Sequence, residues 1–224
     1  MARKIVCGWA PGKRRQTIHC PSCFESKYAL AAKIAAALSY LMNHQGDKVA
    51  LVLFAETMKH FMAAGGTRSH LHNLVAELES VVPPSTTGIA NALVECSSLF
   101  KKRERLVVLS DFRDDTAKTF EALSRFLHQK FEILFLLIVH PHEVDLPGVH
   151  GARFHNMEMH EVVEVEPKEI RAAYRDSARQ RTDTPAHEAY NRHINRSLVR
   201  TKRPYLDATE AYMVFRGRNT LSTR

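Results

Sequence analysis

The sequence predicts an α/β fold, a mostly parallel sheet flanked by helices, on two observations. Segments with apolar residues at helical spacing alternate with short buried apolar runs along most of the 224 residues, the pattern of a sheet covered by helices on both faces. One of those runs, Phe131–Val139 (FEILFLLIV), is apolar on both of its faces, and strands of that kind sit inside parallel sheets.

The elements follow in order. Residues 1–25 look unlike the rest and read as an atypical leader without regular structure. Arg3, Lys4, Lys13, Arg14 and Arg15 mix there with Pro11, Gly12, Pro21 and three cysteines, and only Ile5–Trp9 suits a short strand. Order begins at Lys27. Tyr28, Ala31, Ala32, Ala35, Leu38 and Leu41–Met42 recur at helical spacing, with Ser26 as a cap and Gly46 as a stop. Lys48–Phe54 (KVALVLF) is a buried strand. After the turn at Ala55–Thr57, Met58–Met62 returns as its antiparallel neighbour at the sheet edge. Leu71, Leu74, Val75 and Leu78 mark a second helix, ended by Pro83–Pro84. PSTTGIANAL then opens a helix that runs to about Phe100. Leu106–Leu109 is a third strand, cut off by Ser110–Asp111. Phe120, Leu123, Phe126 and Leu127 form the next helix, and Phe131–Val139 the fourth strand. Beyond His140 the pattern loosens: Val162–Val165 reads as an edge strand, Lys168–Arg179 and Asp207–Phe215 as helices. No repeat or linker divides the chain, so residues 26–218 form one domain and 219–224 a tail.

Composition narrows the function. Hydrophobic residues make up 45% and charged residues 25% of the chain, enough for a real core. The longest strongly apolar run, Ile133–Val139, is too short to span a bilayer. Met1–Val6 lacks the apolar stretch of a signal peptide, so a cytoplasmic location is expected. Cys7, Cys20, Cys23 and Cys96, without a secretion signal, do not read as a disulfide framework.

The net charge is +8, and Pro167–Arg224 holds 13 Lys/Arg against 6 Asp/Glu, so nearly all the excess lies in the last quarter. Arg171, Arg175 and Arg179 fall four apart and share one face if that segment is helical. With Arg192, Arg196, Arg200, Lys202 and Arg203 they make a candidate phosphate grip for nucleic acid, or simply a solvated basic face.

Ligands of a doubly wound sheet bind beyond the carboxyl ends of its strands. Thr86 and Thr87, in the loop before a helix, and Asp111, directly after Leu106–Leu109, fit that position. A hydroxyl and a carboxylate there suit a magnesium ion. They equally suit ordinary capping and turn roles.

Other motifs fall short. His19, Cys20 and Cys23 form half of a zinc site whose second half is missing. The 13 histidines, His140, His142, His150, His155 and His160 among them, match no zinc-protease spacing and read as solvated loop residues. Gly8–Lys13 has the wrong spacing for a phosphate loop, and no Gly-x-Ser-x-Gly elbow exists. With no nucleophile–base pair, an enzyme is not expected.

Six segments occur in an order familiar from one family: SKYALAAKIAAALSYLMNHQGDKVALVLF (26–54), PPSTTGIANAL (83–93), LVVLSDFRDD (106–115), HPHEVDLP (140–147), FHNMEMHEVVEVEP (154–167) and ATEAYMVFRGR (208–218). Together they resemble the C-terminal, von Willebrand factor A-like part of the bacterial domain-of-unknown-function-58 family. The resemblance implies a metal-ion-dependent adhesion site, with Thr87 as its loop threonine and Asp111 as its later aspartate. The site's first element, an Asp-x-Ser-x-Ser run expected shortly before Ser26, is missing: residues 9–25 contain no aspartate. The resemblance therefore implies a degenerate site with magnesium weakly held or absent. It also implies a chain truncated at its N-terminal side and lacking the domain's first, mid-sheet strand unless Ile5–Trp9 replaces it. The expected function is a non-enzymatic protein-interaction module whose partner is a MoxR-type AAA+ ATPase, in complex assembly or maturation. The alternative is a nucleic-acid-binding protein using the basic C-terminal face.

Overall fold

A computed structural model describes the backbone of residues 2–8, 27–55, 57–80, 88–100, 104–112, 115–139, 141–145, 152–155, 162–165, 167–200 and 206–220. It describes their side chains except at 2–8, 141–142, 152–155, 162–165, 167–169 and 218–220. The elements are β1 (Ala2–Gly8), α1 (Lys27–His44), β2 (Lys48–Phe54), β3 (Met58–Gly65), α2 (Arg68–Ser80), α3 (Ile89–Leu99), β4 (Arg105–Ser110), α4 (Thr116–His128), β5 (Glu132–Val139), α5 (Pro141–Val144), β6 (Ala152–His155), β7 (Val162–Val165), α6 (Pro167–Asn191), β8 (Asn195–Arg200) and α7 (Leu206–Thr220).

Six strands form one sheet in the order β3-β2-β1-β4-β5-β8. All pairings are parallel except that of β3 with β2, so the expected mostly parallel sheet with an antiparallel edge at Met58 is what forms. The strands alternate between two cores. Val49, Leu51 and Leu53 of β2, Val107 and Leu109 of β4, and Leu134, Leu136 and Ile138 of β5 pack beneath α1, α2 and α7. Val52 and Phe54, Leu106 and Val108, and Ile133, Phe135, Leu137 and Val139 point the other way, toward α3, α4 and α6. Burial on both sides is why these strands read as continuous apolar runs.

Local signals set the helix ends. Gly46, at φ +78°, takes the left-handed conformation that closes α1, with Gly46 N–H donating to Asn43 O at 2.9 Å and Asp47 N–H to Met42 O at 2.9 Å. Asp115 caps α4, its carboxylate accepting from the Ala117 and Lys118 amides at 3.0 and 3.2 Å.

Three expectations are corrected. The domain does not lack its first strand, and the leader is not structureless over residues 2–8. Ala2–Gly8 lies mid-sheet, paired along its length with β2 and with β4 from Lys4 to Cys7. It overlaps Ile5–Trp9, the segment the sequence offered in place of that strand, but starts earlier, because the basic residues Arg3 and Lys4 pair with β2 as well. Val162–Val165 is a strand but not an edge of the main sheet: it pairs with Ala152–His155 in a separate two-stranded ribbon. The edge beside β5 is instead β8, Asn195–Arg200, whose polar sequence NRSLVR carries no strand alternation because only Val199 is fully buried.

Candidate binding site at the carboxyl edge of the sheet

The strand order reverses at β1, whose neighbours β2 and β4 come later in the chain on opposite sides. In such sheets the crevice beyond the carboxyl ends of the strands at that point is where ligands bind. Three segments meet there. Asp111 directly follows β4, Lys27 begins α1, and Glu143 lies in α5 just after β5. Lys27 Nζ donates to Asp111 Oδ2 at 3.2 Å and to Glu143 Oε1 at 2.6 Å. The Asp111 side chain is 2% exposed, Lys27 14% and Glu143 22%.

Each member is held by its own surroundings. Phe112, next to Asp111, has φ +51°, a left-handed conformation that costs an aromatic residue about 1–3 kcal/mol. Its ring compensates by packing edge-on to Phe135 at 5.0 Å and tilted on Phe120 at 5.6 Å, and its amide donates to Ser110 Oγ. The chain thus turns sharply after β4 and delivers Asp111 to the sheet edge. Lys27 stands at the positive end of the α1 dipole, where an unpaired cation is disfavoured by about 0.3–1 kcal/mol; the two carboxylates reverse that penalty. Glu143 is placed through Asp145 two residues on. Arg171 and Arg175, one turn apart on α6, both fork onto the Asp145 carboxylate. Their hydrogen bonds, Arg171 first, hold its carboxyl well below the usual carboxylate range. Arg181 Nη2 also reaches Glu143 O at 3.4 Å and lies over the Tyr174 ring, 5.8 Å from its centroid.

Beside this cluster a cleft of about 570 Å³ opens between the strand ends and α6. Asp111, Phe112 and Glu143 line one side, Arg181, Thr182 and Thr184 the other.

Of the two expected metal ligands, Asp111 occupies the expected place, and Thr87 lies outside the described residues. The α3 N-cap is Gly88, whose amide donates to Ala55 O at 2.9 Å. The residues that are described do not fit magnesium as they stand. Magnesium needs several oxygen ligands about 2.1 Å away, whereas an ammonium stands beside Asp111. No group of three or more His, Cys, Asp or Glu among the described residues is placed to share a metal. His19, Cys20, Cys23, His140, His150 and His160 lie outside the described residues. Cys96 is buried, and burial pushes its thiol up to about 12, far from a reactive thiolate.

The arginines proposed for nucleic acid do not share one solvent face. Arg171 and Arg175 point at Asp145. Arg179 stands exposed beside Asp176 at 3.9 Å. Arg192 pairs with Glu188 and donates to Ser124 Oγ on α4 at 2.9 Å. Arg196 sits in β8, where burial lowers its pKa and Asp183 opposes that shift.

Lys27 and Glu143 were not singled out by sequence. The available signal was a lysine opening a helix, against the dipole, with no acidic residue in the first turn.

The family described as protein of unknown function DUF58 matches residues 15–184. No curated protein matches the chain. Among solved structures, the chain is similar to the conserved hypothetical protein BatB from Bacteroides thetaiotaomicron, at 13% identity and TM-score 0.62 with 100% of both chains covered. It is similar to an aerotolerance-related membrane protein from Bacteroides fragilis, at 16% identity and TM-score 0.54 over 94% of this chain and 96% of that one. It is also similar to the D319A mutant of the PilB minor pilin from Streptococcus sanguinis, at 12% identity and TM-score 0.52, over 100% of this chain and 64% of that one. At these identities the likeness concerns the fold alone: a mostly parallel sheet between helices. Among the described residues, no helix is long and apolar enough to cross a membrane.

Proposed function

This chain belongs to the DUF58 family of proteins of unknown function, and on that premise we propose that it is a non-enzymatic protein-interaction module. It presents the carboxyl edge of its sheet to a partner, and the partner is a MoxR-type AAA+ ATPase, in complex assembly or maturation in the cytoplasm. The observation that carries the reading is the convergence of Lys27, Asp111 and Glu143 beside an open cleft at the switch point of the sheet. That is where this architecture binds its ligands. The AAA+ partner is supported by the family resemblance, whose members are often encoded beside such ATPases.

The test is titration of the purified chain against a MoxR-type ATPase, with and without nucleotide, by calorimetry. Thr184→Arg fills the cleft from an exposed position and spares the core. Saturable binding that weakens about tenfold or more in Thr184→Arg, as for a central interface position, is the expected result. No binding at tens of micromolar ATPase removes the partner. Binding unchanged by Thr184→Arg removes the cleft. Nucleic acid is the alternative class, and the pairing of Arg171 and Arg175 with Asp145 and of Arg192 with Glu188 weighs against it.

A further inference from the structure

Helix α6 carries four arginines, Arg171, Arg175, Arg179 and Arg181. The first three stand beside carboxylates, Arg171 and Arg175 on Asp145 and Arg179 near Asp176. Arg181 has no carboxylate within ion-pair distance among the described residues. Its place is set all the same. Nη2 donates to the Glu143 carbonyl at 3.4 Å, and the guanidinium lies 5.8 Å from the centroid of the Tyr174 ring. Neither a carbonyl nor a ring neutralises a cation. The guanidinium is therefore oriented with its charge unmatched, and most of its N–H donors stay open. Arg181 is exposed and lines the cleft at the sheet edge.

We propose that Arg181 sets the specificity of this cleft: it receives the Asp or Glu side chain of a partner's peptide segment, while a neighbouring apolar side chain of that segment covers the cleft floor. A planar guanidinium holds a carboxylate through parallel N–H···O bonds, a match an ammonium does not make. The floor is formed by Phe112, Leu137, Val139 and Ala178, and an apolar base with a few polar groups at its rim is the usual make-up of a binding cleft. A polyanion fits the same helix poorly. Asp176 and Asp183 are exposed on it, and Arg171 and Arg175 already face Asp145. A phosphate backbone needs a row of cations, whereas a single carboxylate needs only Arg181. This inference rests on the reading of the cleft as the surface that meets the partner.

The experiment selects peptides from a random phage-displayed library on the full chain, then titrates the synthesised winners by fluorescence anisotropy. The variants are Arg181→Met, Arg181→Glu, Thr184→Arg and Arg179→Met, the last an exposed arginine of the same helix that does not line the cleft. Winners should carry Asp or Glu beside an apolar residue. Arg181→Met should weaken them about tenfold or more, the scale of a hydrogen bond to a charged group, and Arg179→Met less than about twofold, as for an exposed charge. Arg181→Glu should prefer the same peptide with its acid replaced by lysine, a reversal that loss of structure cannot imitate. If Arg181→Met does not fold, Arg181→Gln takes its place with the same loss expected.

Winners without an acidic residue, or no winners at all, overturn the proposal. So does binding that survives Arg181→Met or Thr184→Arg, or that falls equally in Arg179→Met, which would mean general attraction to a basic helix. Displacement of the peptide by a short single-stranded oligonucleotide would make the occupant a polyanion and overturn it too. Acidic winners without ATPase binding would remove the named partner and leave this inference standing. ATPase binding that Thr184→Arg weakens and Arg181→Met does not would remove this inference and leave the cleft.

Discussion

Arg171 grips the Asp145 carboxylate with both arms, Nε on Oδ1 at 2.8 Å and Nη2 on Oδ2 at 2.9 Å, and Arg175 repeats the grip one helical turn later at 2.8 and 2.6 Å. The segment that carries Glu143 is thereby fastened to α6. The two guanidiniums keep the folded-state pKa of Asp145 below its unfolded value, so the stabilisation is present above about pH 4 and is lost as pH falls through the folded pKa. Asp145→Asn should therefore lower the urea midpoint at pH 7, and its difference from the wild type should shrink steadily as the pH is taken below about 4. A midpoint difference that does not shrink in acid would show that the carboxylate charge is not what matters. The groups are solvated, so the effect should also shrink in high salt.

Gly65 lies against the ring of His70. A Cβ added there would fall 2.5 Å from His70 Cγ, while the ring is held by a hydrogen bond between Nε2 and Val49 O at 2.8 Å. Gly65→Ala should cost about 1–3 kcal/mol as a local overpacking. In a His70→Ala background most of that cost should vanish, and a double-mutant cycle in urea reads the coupling directly. Additive costs would mean that Gly65 is required for another reason.

Phe112→Ala removes a ring that packs on Phe120 and Phe135 and leaves a non-glycine residue in the left-handed conformation. The expected loss is about 3 kcal/mol or more. Phe112→Leu should lose less, because it keeps part of the apolar contact. Equal losses in denaturant unfolding would argue that the aromatic edge contacts, which leucine cannot make, dominate over apolar volume.

Cys96 lies on the buried face of α3 at 0% exposure, with its thiol pushed up to about 12 by burial and, secondarily, by Glu95. The sign follows from the neutral protonated form. Its contribution is complete below the unfolded pKa near 9 and is lost as pH rises toward 12. Labelling by an iodoacetamide probe at pH 8, read by peptide mass spectrometry, should spare Cys96 in native protein and modify it in urea. Rapid native labelling would contradict the packing.

The parts legible in sequence were those where one physical cause dominates locally. Burial on both faces wrote KVALVLF and EILFLLIV as unbroken apolar strands, and an apolar run ending in Ser110–Asp111 marked a strand end near a ligand position. The site as a whole was not legible, because its three members are 84 and 116 residues apart and meet only through the strand order. The same holds for Arg171 and Arg175. Their four-residue spacing correctly gave a shared helix face, but which charge that face meets depends on Asp145, 26 and 30 residues upstream. β8 escaped notice because an edge position leaves Asn195, Arg196, Ser197 and Leu198 only partly covered. Thr87, the second expected ligand, lies outside the described residues.

The place of Ala2–Gly8 between β2 and β4 has a consequence for biosynthesis. Both flanking strands leave the ribosome after it, and the later one, Arg105–Ser110, leaves about a hundred residues after it. The nascent chain thus emerges with a mid-sheet strand ahead of both its neighbours, and one edge of that strand stays unpaired until β4 arrives. Long-range parallel pairing of this kind is slow and exposed to aggregation, so delayed translation between residues 8 and 105 should make this protein depend on chaperones that hold extended apolar segments.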